Sequence, residues 1–458
     1  MEIKPFSEIN KHFLEKLTSP KSYTTSKYSF LKIFQHALSY SLIGDKNKLI
    51  KNYIHLPLAL QKALYTIKSI VRKPNTTNTK FKDVVFIDPG RLFKVAEHNY
   101  KSVYFDKFKE CFGEENVTTI LKSKNKHLKA DYCLQDFNRN LPKLDETEMS
   151  MLSEIKAVSS TSRKSGQFTD SEVEYINSAL HIFFEDFRFY YQLFKNNKPK
   201  AVFFICHYHN EGLIAALQSS DIKCIEMQHG LIAANDLYYV YNDIFKDSVK
   251  HAFFPDKIMV YGIYWRKVLL EGCEFKDSQI VVAGDYLARH QQSDQKKFNK
   301  ENILLICAQK MLFKEYVEYA KKLAPVLMQH PTWKAIIKLH PLENAKHEYA
   351  TLTSLGYEIV DLEYTLDELL QRSKIQISIY STTFYDAIGF EVMNFSLQNY
   401  GTSSDYAADM IKEGVAEPLT IADDPIAIYL EKQSHGFNYM DRSMIYGTFD
   451  DRLALSSI

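Results

Sequence analysis

Short runs of β-branched and aromatic residues recur along two stretches of this chain, and polar turns followed by helical spacing separate them. In the first stretch the runs are Val84 to Ile87, Ala201 to Ile205, Cys224 to Met227, Lys257 to Tyr261 and Ile280 to Ala283. In the second they are Ile303 to Cys307, Ala335 to Leu339, Glu358 to Asp361, Ile375 to Tyr380 and Phe395 to Gln398. Helical spacing is read over Ile176 to Phe194, Leu213 to Gln218, Tyr264 to Leu270, Lys314 to Leu327 and Thr365 to Gln371. Strands that alternate with helices predict parallel sheets covered on both faces, so the fold class is α/β. At 458 residues the chain is too long for one hydrophobic core, which agrees with two such series.

The punctuation between the series sets the expected domains. Residues 1–80 are read as a helical N-terminal extension and linker. Its helices are placed at Tyr28 to Leu42 and Leu49 to Val71, and the breaker-rich run Lys73 to Thr79 follows. Residues 81–290 and 291–430 are read as two Rossmann-like domains with a hinge in the polar stretch Gly284 to Asn299. Residues 121–150 show no clear periodicity, and 431–458 read as an irregular tail packing back across the hinge.

In open α/β sheets ligands bind beyond the carboxyl ends of strands, so the loops there are the candidate site. Val84 to Ile87 leads into Asp88-Pro89-Gly90-Arg91. Ala201 to Ile205 leads into Cys206-His207-Tyr208-His209-Asn210-Glu211-Gly212, and Met227 into Gln228-His229-Gly230. Glu211 is read as lying in a polar loop, ionised at neutral pH, where it can act as a general base; His229 is its rival as base or phosphate contact. The spacing of His207, His209 and Glu211 would put all three on one strand face, but no further spaced ligands accompany them, so no metal is expected. In the second half Gln309 follows the first strand, Lys338, His340 and Pro341 the second, and Ser381, Thr382 and Thr383 the fourth. Hydroxyls and free N–H groups at a helix start near Phe384 would suit phosphate.

Other classes fall away. There is no GxGxxG, no GxxxxGK[ST] and no GxSxG, which removes dinucleotide, P-loop and serine-hydrolase readings. The formal net charge of +1 gives no global field for nucleic acid. Six cysteines without a CxxC pair read as reduced core residues. No stretch reaches the length of a membrane span, and the N-terminus lacks a signal-peptide core.

Together these motifs resemble bacterial surface-polysaccharide glycosyltransferases of the GT-B fold, over about residues 81–425. In the sialyltransferase and Kdo-transferase families an acidic-acidic-Gly motif carries the base. Its match here is Asn210-Glu211-Gly212, with Asn at the first acidic position. The families' His-Pro motif, which contacts CMP, matches His340-Pro341, and their phosphate motif matches Ser381 to Thr383. More distantly, His229-Gly230, His340-Pro341 and Ser381 to Thr383 with Asp386 are similar to CDP-glycerol and CDP-ribitol phosphotransferases, although Gln228 stands where those enzymes usually have Trp.

The resemblance implies transfer of a CMP-activated acidic sugar, such as Kdo or another nonulosonic acid, to a growing surface polysaccharide. Glu211 and His229 would be the catalytic pair. Gln309, Lys338, His340, Pro341 and Ser381 to Thr383 would hold nucleotide and phosphate. Arg91, His207, His209, Asn210, Gln228 and Gly230 would face the acceptor or shape its loop. No cofactor is implied beyond the cytidine nucleotide donor. The expected partners are a glycan or glycolipid acceptor and other assembly proteins, in the cytoplasm or at the inner face of its membrane. The alternatives are a CDP-polyol phosphotransferase, a sugar-nucleotide epimerase and a non-catalytic glycan-assembly subunit.

Overall fold

The structure is a computed structural model. It describes residues 6–43, 80–287, 298–398, 403–436 and 441–458, apart from 18, 97–98, 126, 138–140, 235, 237, 242, 250–251, 273, 310–311, 341–342, 344–345, 362 and 457. The helix expected at Leu49 to Val71, the linker Lys73 to Thr79, most of the expected hinge, and Pro341 lie outside the described residues.

The chain divides into two compact units, Glu8–Arg289 with Tyr446–Ile458, and His290–Ile445. Both are Rossmann-like α/β units built on parallel sheets, in keeping with the GT-B class. Unit 1 holds β1 (Val84–Asp88), β2 (Leu92–Ala96), β3 (Asn99–Ser102), β4 (Val117–Leu121), β5 (Tyr132–Cys133), β6 (Ala201–Ile205), β7 (Lys223–Met227), β8 (Lys257–Val260) and β9 (Ile280–Val282). Seven of these form one parallel sheet in the order β5-β4-β1-β6-β7-β8-β9, while β2 and β3 form a separate antiparallel hairpin. Every residue of β1 and β6 is buried. That explains why both read as continuous apolar runs: a parallel strand is covered on both faces.

Helices α1 (Phe6–Lys16) and α2 (Leu31–Ile43) precede this sheet in sequence, and α2 packs into the same core as the long helix α4 (Asp170–Phe194). Helix α3 (Glu146–Lys164) precedes α4, and α5 (Glu211–Ser219) follows β6. Both α3 and α4 begin with a complete capping box, Asp145 with Glu148 and Thr169 with Glu172. Helix α5 lies so close to α4 that a Cβ on Gly212 would fall 2.8 Å from the Phe183 carbonyl oxygen and the Phe187 nitrogen. Helix α6 (Ile263–Glu271) follows β8.

Unit 2 holds β10 (Ile303–Cys307), β11 (Lys334–Lys338), β12 (Tyr357–Val360), β13 (Ile375–Ser378), β14 (Met393–Leu397) and β15 (Glu417–Leu419) in one parallel sheet, ordered β12-β11-β10-β13-β14-β15. Helix α7 (Phe313–Gln329) follows β10. Helix α8 (Leu366–Arg372) opens on the capping box of Thr365 and Glu368, and α9 (Thr383–Ala387) follows β13.

Several local expectations are corrected. The aperiodic stretch 121–150 contains β5 and the start of α3. Its strand is only two residues long, too short to show a period. The tail is not irregular throughout: Arg442–Ile445 and Asp451–Ser456 are helical. Residues from Tyr446 onward belong to unit 1, where Phe449 packs edge-on against Phe108 and the Asp285 N–H donates to the Gly447 carbonyl at 2.7 Å.

Candidate functional site

In unit 1 the carboxyl ends of β6 and β7 carry a dense set of titratable side chains. After β6 the chain turns sharply at Cys206, whose φ of 60° is left-handed. Asn210 secures this turn by donating to the carbonyls of Ile205 and Cys206, and it accepts from Lys122 Nζ at 2.8 Å. Asn210, expected beside an acceptor, is therefore a brace for the loop. Residues His207–His209 form a single 3-10 turn, so the strand geometry that would align His207, His209 and Glu211 does not arise.

His207 is fully buried. Its Nδ1 meets Glu226 Oε2, and its Nε2 lies 2.9 Å from the Tyr238 carbonyl and 3.3 Å from Glu274 Oε1. Burial alone would lower the imidazole pKa, but the Glu226 carboxylate prevails and pushes it up to about 9. Glu226 is itself buried in the middle of β7 and accepts from Tyr239 Oη at 2.9 Å. Burial disfavours its charge, yet His207 and Tyr239 hold the carboxyl below its usual value. Helix α2 completes the set. Lys32 Nζ stands 3.4 Å from Glu274 Oε1, donates to the Tyr238 carbonyl, and lies 3.9 Å from the centre of the Phe254 ring. Lys32 and His207 thus face Glu226 and Glu274 in a water-poor interior, where burial lowers the Lys32 pKa and raises that of Glu274.

Glu211 is not in a polar loop. It is the first residue of α5, only 7% exposed, with Oε1 3.3 Å from His36 Nδ1. Burial raises its pKa to about 7, so the freely ionised carboxylate expected from its usual value is corrected. His36 is also desolvated, which lowers its pKa, and its ring stacks on His209 at 4.8 Å.

His229, after β7, is half-buried and more open than Glu211. Its Nε2 is 3.4 Å from Tyr208 Oη, and its buried Nδ1 has no hydrogen-bond partner among the described residues. Desolvation lowers its pKa to about 4, leaving a neutral imidazole at pH 7. The exposed Arg91 donates to Tyr104 Oη at 2.9 Å, and Tyr104 donates to the His229 carbonyl. Gln228, read as a loop residue facing the acceptor, is fully buried. It donates to the Gly230 carbonyl and accepts from the Tyr261 N–H, so it pins the turn that presents His229. Lys32, His36, Glu226 and Glu274 were not anticipated. Glu226 was visible as a lone acid inside an apolar strand; the other three meet the site only through tertiary packing.

In unit 2 the loops after β10, β11 and β13 lie at one sheet edge, because these strands are neighbours in the order β11-β10-β13. Gln309 accepts from Tyr316 Oη and from the Tyr380 N–H, bridging two of the loops. Lys338 Nζ donates to the Asp361 carbonyl. His340 is half-buried, and its carbonyl accepts from the Glu343 N–H. The three hydroxyl residues divide their work. Ser381 Oγ accepts from the Thr383 N–H, Thr383 Oγ1 accepts from Gln376, and Thr382 is exposed. Helix α9 is only five residues long, too short to build the helix-end anion site expected of it. No group of side chains able to hold a metal is present among the described residues.

No family model and no curated protein matches this sequence. Solved structures of similar fold include a UDP-GlcNAc 2-epimerase from Neisseria meningitidis bound to UDP-GlcNAc, at 11% identity and TM-score 0.48, covering 82% of this chain and 98% of that one. The Methanocaldococcus jannaschii UDP-GlcNAc 2-epimerase in complex with UDP-GlcNAc and UDP gives 10% identity and TM-score 0.48, covering 82% and 99%. The glycotransferase of kitacinnamycin gives 10% identity and TM-score 0.43, covering 83% and 99%. Likeness at this level concerns the fold alone. The expectation of a glycosyltransferase using a CMP-activated acidic sugar is corrected: UDP-GlcNAc 2-epimerases recur among these structures. In the site itself, the carboxylate assigned to the acceptor is buried against His36.

Proposed function

We propose that this chain is an enzyme that moves protons on a nucleotide-linked sugar, an epimerase-type reaction that needs no second, sugar-accepting substrate. The observation that carries this reading is the approach of half-buried His229, after β7, to Tyr208, after β6, backed by a buried cluster of titratable residues. A transferase base must be open to a large acceptor, and Glu211 is closed in. An epimerase needs only an acid and a base around one small ring. His229 is neutral at pH 7 and can accept a proton, though weakly at a pKa of about 4, and the Tyr208 hydroxyl, whose pKa burial raises, lies beside it to relay one.

UDP-GlcNAc is the first probe, because it is the ligand named for proteins of similar fold. The purified chain is incubated with it alone, and the sugar protons are followed by NMR. The expected result is a product inverted at one sugar carbon without added acceptor. His229→Ala should slow this by roughly the 10²–10⁴ typical of losing a general base. Turnover of a nucleotide sugar only after a glycan acceptor is added would overturn the proposal.

A further inference from the structure

The turn that carries His229 is held at each of its three carbonyls. The Gln228 carbonyl accepts from two tyrosine hydroxyls, Tyr261 at 2.6 Å and Tyr286 at 2.9 Å. The His229 carbonyl accepts from Tyr104 Oη, and the Gly230 carbonyl from the Gln228 amide. Three of these four donors are tyrosines. A strand-end loop is ordinarily the more mobile part of such a sheet, so this one is fixed beyond what reversing the chain requires. Tyr261 and Tyr286 are buried, with ring centres 4.8 Å apart, and Tyr286 also reaches the Met259 carbonyl at 3.2 Å.

The chain that returns to unit 1 at Tyr446 backs both tyrosines. The Tyr446 ring packs on Tyr261 at 5.5 Å, and the Gly447 N–H donates to the Tyr261 carbonyl at 2.8 Å. The Gly447 carbonyl accepts from the N–H of Asp285, next to Tyr286, and the Asp450 N–H donates to the Ala283 carbonyl at 3.0 Å. Phe449 and Tyr286 both pack edge-on against Phe108, at 5.4 and 5.2 Å. Gly284 adopts a left-handed φ of 82°, and a Cβ there would lie 2.6 Å from the Phe449 Cα and closer still to the Thr448 carbonyl. Only glycine lets the returning segment seat this closely.

We propose that Tyr261 and Tyr286 are positioning residues for His229, and that the segment 446–449 is the clasp that seats them on Gln228. The two hydroxyls fix the backbone of the turn, and the turn fixes the imidazole beside Tyr208. The consequence for turnover rests on His229 being the base proposed above. A displacement of about 1 Å in a catalytic group can cost roughly 10²-fold in rate, so the clasp acts on the reaction without touching substrate.

The test uses the full chain with isotope-labelled histidine, followed by NMR, with the His229 signal identified by its absence from His229→Ala. The double variant Tyr261→Phe with Tyr286→Phe removes both hydroxyls and keeps the rings. Gly284→Ala unseats the clasp without altering either tyrosine. Burial holds the His229 pKa at about 4 in the intact turn. A loosened turn admits water to the ring, so in both variants that pKa should rise above about 5, toward the ordinary 6.5. Turnover of UDP-GlcNAc should lose at least about tenfold in kcat while KM stays within about threefold. Tyr261→Phe alone supplies the comparison if the double variant does not fold. A His229 pKa unmoved in the folded variants would overturn the proposal, and a lower melting temperature with nothing else changed would make the tyrosines merely structural. A raised pKa with unchanged turnover would support the clasp and take His229 out of the chemistry, which separates failure of the epimerase reading from failure of this inference.

Discussion

The chemistry of single residues here is set by burial more than by identity. Glu211 opens helix α5 and Glu226 lies within β7, both buried, yet their pKa values move apart. Burial carries Glu211 up to about 7, whereas His207 and Tyr239 hold Glu226 below its ordinary value. A sequence shows neither neighbour, which is why Glu211 was read as a free carboxylate. His207 gives a stability prediction with a definite sign. Its pKa is 6.5 in the unfolded chain and about 9 in the folded one. Between those values the folded state binds more protons, so stability falls as pH rises. Glu211 acts with the same sign lower down, between 4.5 and about 7. Chemical denaturation of the wild type should therefore show declining stability from pH 6.5 to 9. His207→Gln should show a flatter profile over that window, though lower stability throughout. Parallel profiles would mean that His207 is not held as an imidazolium.

At the scale of elements, strands with all residues buried were readable because a parallel strand covered on both faces is a continuous apolar run. Val84–Asp88, Ala201–Ile205 and Ile303–Cys307 lie within a residue of where that signal placed them. The hairpin of β2 and β3 was not readable, since neither strand carries a clear period. The role of α2 was also hidden. Its helical spacing was visible, but Lys32 and Glu274 are far apart in sequence and meet only in the folded unit. Removing one partner of a buried ion pair typically costs about 3–5 kcal/mol, because the other charge is stranded. Lys32→Met should therefore destabilise unit 1 by that order in urea denaturation, and Lys32→Met with Glu274→Gln should recover part of it. A loss under about 0.5 kcal/mol would show that α2 is not anchored through this pair. The contact of α5 with α4 is equally testable. An added Cβ at Gly212 meets backbone atoms at 2.8 Å, which cannot swing aside as a side chain would. Gly212→Ala should cost about 1–3 kcal/mol, the usual range for overpacking, and a neutral or stabilising effect would contradict the packing described.

At the scale of the whole molecule, two parallel-sheet units and their strand-end loops were legible, because alternation of strand and helix is a long-range regularity that survives errors at individual boundaries. The chemistry was not legible to the same degree. The motifs read after strands do follow β7, β11 and β13, but their types alone did not separate sugar transfer from sugar rearrangement. Gln228 and Asn210 stand where the resembled transferases carry Trp and an acid, and here their amides brace turns. The transferase reading needs Glu211 open to a second substrate, and His36 packs against it instead. The most direct measurement is therefore turnover of UDP-GlcNAc in D₂O without any acceptor, with deuterium located by NMR and mass spectrometry. Proton removal and return at an inverted carbon predicts one solvent deuterium at that carbon in the product, and strongly reduced incorporation in His229→Ala. Product without deuterium at an inverted carbon, or product formed only when an acceptor glycan is supplied, would contradict the epimerase reading.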